Sequence, residues 1–322
     1  MGNVTIQNCF FQDSKTGTIL GVDNVNGDFT FVNNIYSNIS HRFPNPKGDG
    51  QYDIINNVVY NWKERLVRVT GEGTYNVISN YYKPSNSGLR GSGWFGSGVI
   101  SNRLQKLQAQ LTDNPSIYAT GSIVTGQREV PQVNDSDMWT YFAGSDPSYP
   151  ENALVDSSFF TPTQFPLVGE TYSIKTANQA YGDLVINGDV GAYKSLNIDG
   201  TVTISRDSKD IGDLLMIEND SYNGSFYDSI STIPYPTLPT NTRPLGFYSS
   251  NTHIPETWFN ENVPSGQTEN DLAPSGYTWF EEYLNQVDGN IIAPNPSGNT
   301  THSLTESQKS SNKFSKMNKN WI

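Results

Sequence analysis

The chain has 322 residues, with 20 Lys and Arg against 32 Asp and Glu and a formal net charge of −12. The length suits one large domain or two small ones, and an aromatic fraction of 12% argues against disorder. The acidic balance argues against a general nucleic-acid or anionic-membrane binder, and a single cysteine excludes a disulfide framework or a Cys-based zinc site.

Short strand-like runs recur from the start: VTIQNCFF, FTFVNNIY, YDIINNVVY, YNVISNYY, GVISNRL and YATGSIV. Aligned, they share a column of Cys9, Asn34, Asn57, Asn80, Asn102 and Ser122, spaced by 25, 23, 23, 22 and 20 residues. About two positions earlier lie Ile6, Val32, Ile55, Ile78, Ile100 and Thr120, mostly β-branched. A period in the low twenties, without helical patterning, predicts a solenoid of parallel β coils. Stacked amides explain the column, because Asn side chains at equivalent turns can hydrogen-bond up the stack. Asn34, Asn57, Asn80 and Asn102 are the predicted structural ladder. Turn propensity alone is the competing explanation for each Asn.

Residues 84–98, PSNSGLRGSGWFGSG, read as a Gly/Ser-rich loop. Residues 103–114 read as a short helix or a charged excursion between coils. The segment 131–170, rich in Pro, Ser and Asp, reads as a long wrap. DLVING and GTVTIS within 183–205 are candidate strands. Residues 276–287 place Tyr277, Phe280, Tyr283, Leu284 and Val287 at helical spacing, an amphipathic helix. Beyond Asp288 the chain becomes a polar, basic-ended tail, either solvated or a docking arm. The predicted divisions are coils carrying the site at 1–125, C-terminal coils and wrap at 126–288, and the tail at 289–322. Nothing reaches the roughly 18 apolar residues of a membrane helix, and MGNVTIQNCFF lacks the features of a signal peptide.

The first coils also carry motifs: NVTIQNCFF, SKTGTILG, NNIYSNISHRFPNPK, NNVVYNW and NYYKP. These resemble the pectate lyases of polysaccharide lyase family 1. YATGSIV resembles that family's late coil, SRDSKDIGDLL its C-terminal wrap, and HIPETW with SGYTWFEEYLNQV a tail found in bacterial members. The resemblance implies an all-β fold: a right-handed single-stranded parallel β-helix with a long C-terminal wrapping segment and a short C-terminal helix. It also implies β-elimination on polygalacturonate or a related uronate polysaccharide. A base takes the C5 proton, and cations stabilise the enolate-like transition state.

By this resemblance the family's Arg-x-Pro-x-x-Arg motif reads Arg42-Phe43-Pro44-Asn45-Pro46-Lys47, making Arg42 the catalytic base. Pro44 and Lys47 fall at substrate positions, and Lys15 occupies the substrate-binding position of the Ser-Lys-x-Gly segment. Lys47 stands where the family has arginine, so a bidentate grip on a carboxylate becomes a point charge. His41 is adjacent in sequence to Arg42 and is expected to face the other way. Lys63, Arg65 and Arg68 extend the groove or line a solvated turn. Trp94 and Phe95 stack on sugar or plug the coils. Charge is uneven: residues 1–110 carry ten basic and seven acidic side chains, a net of +3, leaving −15 for residues 111–322.

The family uses calcium, but its ligands lie on coils preceding Cys9, so no metal ligand is expected on this chain. The tail stretch Tyr248–His253 has no carboxylate, which argues against a calcium loop there. A β-helix opening at Val4 exposes unpaired strands. The expected partners are therefore an acidic polysaccharide and a second chain, or oligomer mates, capping that end. Missing residues of a longer polypeptide are the alternative cap. The expected location is extracellular or a virion surface. The competing functional reading is a non-catalytic carbohydrate-binding or structural β-helix of a virus particle or adhesin.

Overall fold

A computed structural model describes residues 4–20, 27–39, 42–46, 48–62, 68–69, 72–85, 106–107, 114–125, 133–134, 157–168, 173–191, 193–196, 202–222, 247–248 and 252–288. These form two compact units. The first spans 1–191 and 211–235; the second spans 192–210 and 236–322.

The first unit is built of coils. Each coil contributes one strand to a first sheet: β1 (Val4–Gln7), β4 (Phe29–Val32), β7 (Gln51–Ile55), β10 (Thr74–Ile78) and β13 (Ser116–Thr120). A second sheet takes β2 (Phe10–Gln12), β5 (Ile35–Ser37), β8 (Val58–Tyr60), β11 (Tyr81–Lys83) and β14 (Ile123–Val124), with β15 (Val133–Asn134) added antiparallel. Short strands form a third side: β3 (Ile19–Leu20) pairs with β6 (Asn45–Pro46), and β9 (Arg68–Val69) with β12 (Lys106–Leu107). Apart from β15, neighbours in all three are parallel. This is the parallel coil stack that the period predicted.

Alternation along each strand decides what goes inside. Phe29, Phe31, Tyr36, Tyr52, Ile54, Val59, Tyr75, Val77 and Tyr82 fill one buried core. Equivalent aromatics stack across coils, Phe29 on Tyr52 at 5.3 Å and Tyr52 on Tyr75 at 4.9 Å between ring centres. Coil spacing of about 4.8 Å makes such offset stacking nearly automatic. The outer faces carry apolar residues too, beside the polar column of Thr30, Asp53 and Asn76 on the first sheet, as suits strands covered on both sides. Val32, Ile55 and Ile78 lie with Leu167. Ile35, Val58 and Tyr60 lie under Leu184, Val185, Val190, Leu214, Ile217 and Tyr222.

The bend between first and second sheets uses left-handed backbone at Asn8, Asn33, Asn56, Ser79 and Gly121, with φ between 51° and 68°. Asn tolerates that region better than most residues. The following residue forms the ladder. Cys9 N–H donates to Asn34 Oδ1, Asn34 N–H to Asn57 Oδ1 and Asn57 N–H to Asn80 Oδ1, all at 2.9–3.0 Å. The next rung departs from the sequence expectation. Asn80 N–H donates to Ser122 Oγ at 3.0 Å, and β10 pairs directly with β13. Asn80 is thus followed in the described ladder by Ser122; GVISNRL, with Asn102, lies outside the described residues. The fourth coil is 42 residues long in place of 23, with most of its extra length between β11 and β12 and the rest between β12 and β13. Residues 106–107 are strand, not helix.

Two further repeats escaped the sequence reading. Asn38 Nδ2 donates to Asp13 Oδ1 at 3.1 Å and Asn61 Nδ2 to Asn38 Oδ1 at 2.7 Å, a second polar ladder where the chain leaves the second sheet. Gly27, Gly50 and Gly73 recur at the coil repeat where the chain enters the first sheet. A Cβ on Gly50 would stand 1.8 Å from the Gly27 carbonyl oxygen, so no side chain fits between these coils.

The wrap does close over the coils. Phe160 bridges to Ile117, and Phe159 and Phe160 pack against the core. The chain then crosses the outer face of the first sheet. There Thr30 Oγ1 donates to Val168 O at 2.6 Å, Val168 N–H donates to Asp53 Oδ2 at 2.8 Å, and Phe165 N–H donates to Asn76 Oδ1 at 3.1 Å. DLVING is not a strand: a capped helix α1 (Ala177–Tyr181) runs into a π turn, Gly182–Ile186. Its Leu184 and Val185 cover the second sheet, which is the burial that overrides their β propensity. Helix α2 (Ser208–Asn219), within the segment expected to be plain wrap, adds Leu214 and Ile217 to the same cover. For that reason residues 126–191 and 211–235 fall with the coils, and the compact units differ from the predicted divisions.

In the second unit, GTVTIS supplies β17 (Val202–Ile204), antiparallel to β16 (Lys194–Leu196). Helix α3 (Glu256–Asn262) and the expected helix, α4 (Trp279–Asp288), share a small core of Ile254, Trp258, Val263 and Tyr283. Of the predicted stripe, Tyr283 is buried and Leu284 is exposed. No helix among the described residues is long and apolar enough to cross a membrane.

Candidate functional site

The site is built on the turns that leave the second sheet toward the third side. In the first coil, Asp13 bends the chain at φ 51° and Ser14 Oγ donates to Thr16 O at 2.7 Å. Lys15, between them, is exposed. In the second coil, Asn38 makes the equivalent bend, Ile39 and Phe43 are buried, and Arg42 has φ 75°. A non-glycine residue there is strained, and strain of this kind concentrates at functional turns.

Thr18 joins the two turns. Its N–H donates to the Arg42 carbonyl at 2.9 Å, and its carbonyl accepts from Asn45 N–H at 2.8 Å. Its hydroxyl lies 3.3 Å from Tyr36 Oη, and the Phe43 ring packs edge-on against Tyr36 at 5.7 Å. Burial pushes the Tyr36 phenol up, so it stays neutral. A rigid, apolar floor thus holds Lys15 and Arg42 on adjacent coils, facing no rearrangement of backbone.

Arg42 is half-buried, its Nε is buried without a hydrogen-bond partner, and no described carboxylate pairs with it. An arginine meant only to anchor a loop would be expected to satisfy these donors. The arrangement suits an incoming oxyanion or carboxylate. Pro44 follows a cis peptide bond from Phe43 and is buried. Lys47, His41, Lys63, Arg65, Trp94 and Phe95 lie outside the described residues; Arg68 is placed in β9.

Pectate lyases as a family use calcium. At the first of these turns the Asp13 carboxylate accepts from Asn38, and on the outer face of the first sheet Asp53 accepts from Asn76 and Val168. Among the described residues, no group of three or more His, Cys, Asp and Glu side chains could hold a metal ion.

In the second unit, Glu269 was not singled out from sequence. Its carboxylate accepts from His253 N–H at 2.6 Å and from the ring Nδ1, in its N–H tautomer, at 2.8 Å. Burial opposes ionisation of Glu269, but the ring and main-chain bonds from His253 outweigh it and hold the carboxyl below its ordinary range.

The family model described as pectate lyase matches residues 1–139. A search of curated proteins found no match. The matched stretch contains the first four coils, the turns bearing Lys15 and Arg42 and the whole ladder from Cys9 to Ser122, and it belongs to the pectate lyase family.

Proposed function

We propose that the chain carries a pectate-lyase-like site that performs β-elimination on polygalacturonate or a related uronate polymer. The observation that supports this reading is that the turns bearing Lys15 and Arg42 lie on adjacent coils, joined by two Thr18 main-chain hydrogen bonds, within the stretch matched by the pectate lyase model. In the reaction, the C5–H bond breaks and its proton passes to Arg42. The electron pair forms the C4–C5 double bond, and the C4–O glycosidic bond breaks. The leaving oxygen takes a proton from water and becomes the new chain end.

Lys15 and Lys47 neutralise the uronate carboxylate, which makes the C5 proton acidic enough to lose. Arginine is ordinarily protonated, so the base acts from its minority neutral form, favoured by neighbouring cations. The coils are taken as right-handed, the usual hand of parallel crossovers.

Further coils complete the site. Val4, Ile6 and Phe11 of the first coil are half-buried, whereas Phe29, Phe31 and Tyr36 one coil on are fully buried. That face suits another parallel coil, supplied by preceding residues of a longer polypeptide, by a second chain or by an oligomer mate. Such a coil is also where calcium ligands would stand. The polymer substrate puts the working protein outside cells or on a particle surface.

A second reading keeps the sugar contact and drops the chemistry. It is favoured by the change of arginine to Lys47 and by the Asp13 carboxylate of the neighbouring turn accepting from Asn38. Incubation with polygalacturonate, calcium and any co-purifying partner separates the two. New ultraviolet absorbance from the unsaturated sugar end supports the lyase; sugar binding with no absorbance supports the binding module.

A further inference from the structure

The wrap that covers the coils carries a cleft of about 360 Å3, at the small end of the range for small-molecule sites. Lys175, Gln179, Gly182, Asp183, Ile186 and Asn187 line it. It lies along the solvent side of α1 and the π turn that follows, whose other side buries Ala177, Ala180, Leu184 and Val185. One end is anchored to the coils. The Lys175 N–H donates to Asn56 Oδ1 at 2.9 Å, and the Lys175 carbonyl accepts from Asn56 Nδ2 at 2.8 Å. Asn56 stands at the bend between the first and second sheets, a different corner of the coils from the turns of Lys15 and Arg42.

Two features of this cleft are not demanded by the fold. Gly182 has an ordinary helical φ of −58°, and a Cβ on it would meet nothing within 4 Å. Neither strain nor crowding requires glycine there, although glycine is among the poorest helix formers. In the lining of a cleft it leaves the backbone open to close approach by a ligand. The π turn is the second feature. Asn187 N–H donates to Gly182 O at 2.9 Å, five residues back, which sets Asn187 one turn above Gly182. Such turns are rare and occur often at functional sites.

The polar groups select the ligand. Lys175 Nζ donates to Asp183 Oδ2 at 2.6 Å, and Asn187 Nδ2 donates to Asp183 Oδ1 at 3.3 Å. The two charges cancel, so an added carboxylate meets repulsion from Asp183 and an added cation meets it from Lys175. Gln179 Oε1 accepts from the N–H and hydroxyl of Thr176 at 3.0 and 2.9 Å, which leaves the Gln179 Nε2 donors for other partners. Lys175 Nζ has further protons to give, and Asn187 Oδ1 has lone pairs. Ile186, 42% exposed, adds an apolar surface beside them. Donors, acceptors and a small apolar patch without net charge suit hydroxyl groups, each of which donates and accepts at once.

We propose that this cleft binds one neutral sugar ring, its hydroxyls bridging Lys175, Gln179, Asp183 and Asn187 while a ring face lies over Gly182 and Ile186. The site goes beyond the uronate reading and does not depend on it.

Ligand-observed NMR titrations of the full chain with D-galactose and with D-galacturonic acid, which differ only at C6, test this. Galactose should bind in the millimolar range, as a small ligand in an open cleft does. Gly182→Leu fills the cleft and should weaken galactose at least about tenfold, and Asn187→Ala should weaken it about threefold to tenfold. Leucine is a good helix former, so the melting temperature of Gly182→Leu should not fall. Absence of galactose binding by the wild type, or unchanged binding by Gly182→Leu, overturns the proposal. Galacturonic acid binding that falls as far as galactose binding in Gly182→Leu overturns the neutral class of ligand. Should Gly182→Leu not fold, Gly182→Ala gives the same readout at a smaller size. The uronate reading is tested apart, since galacturonic acid held at Arg42 is insensitive to Gly182→Leu.

Discussion

Asn80 donates its main-chain N–H to Ser122 Oγ at 3.0 Å across 42 residues of chain. This one bond marks where the solenoid skips a coil of sequence without skipping a coil of structure. It closes the ladder at its C-terminal end with a hydroxyl in place of an amide. A hydroxyl accepts the N–H of the rung before it but offers no second donor for a carbonyl, so the ladder ends there.

The ladder sets the first prediction. Asn57 Oδ1 accepts from both the N–H and the Nδ2 of Asn34, and its own Nδ2 donates to Phe31 O at 3.0 Å. Asn57→Ala orphans these buried groups and should cost about 3 kcal/mol in chemical denaturation. Ser122→Ala orphans one N–H and should cost about 1–2 kcal/mol. Equal costs would mean that the ladder is not a continuous network.

Glycine spacing sets the second. Gly50→Ala puts a methyl 1.8 Å from the Gly27 carbonyl oxygen, whereas Gly73→Ala meets the Gly50 carbonyl oxygen at 2.7 Å. Gly50→Ala should reduce soluble yield or lower the melting temperature far more than Gly73→Ala, because both methyls meet backbone but the Gly27 backbone would have to move much further to admit one. A Gly50→Ala protein as stable as wild type would contradict the close approach of the coils.

Arg42 should show stability and function pulling apart. Its φ of 75° favours glycine, so Arg42→Gly should leave the fold equally stable or raise it by up to about 1 kcal/mol. The same variant should lose activity on polygalacturonate. Marked destabilisation would show that Arg42 is a structural anchor.

The second unit should loosen in acid. The Glu269 carboxyl is held below its ordinary range when folded, so its contribution is fully present above the unfolded glutamate pKa. It is lost as pH falls through the lowered folded value. Thermal melts across acidic pH should show that loss in the wild type and a flatter profile in Glu269→Gln. Superimposable profiles would remove the His253 clasp as the cause.

Much of this was legible in sequence. The strand-ending Asn residues at 34, 57 and 80 announced the coils because one geometric need, an amide at a fixed bend, recurs once per turn. The motif around Arg42 located the turn that Thr18 ties to Lys15. What stayed hidden was nonlocal. Asn102 matched the column by composition, but the register of β10 on β13 is set by packing across an insertion that spacing alone cannot reveal. Leu184 and Val185 read as strand because β-branched and aliphatic runs are ambiguous when short, and only the exposed face of the second sheet makes them a helical cover. Glu269 and His253 lie 16 residues apart without any shared pattern.

The most direct test of the central claim compares wild-type protein with Arg42→Ala on polygalacturonate, with calcium and any partner chain present, following the ultraviolet absorbance of the unsaturated product. The account predicts product from the wild type and at least about a hundredfold loss in the variant, with an unchanged circular dichroism spectrum. Undiminished product from a folded Arg42→Ala protein would contradict it.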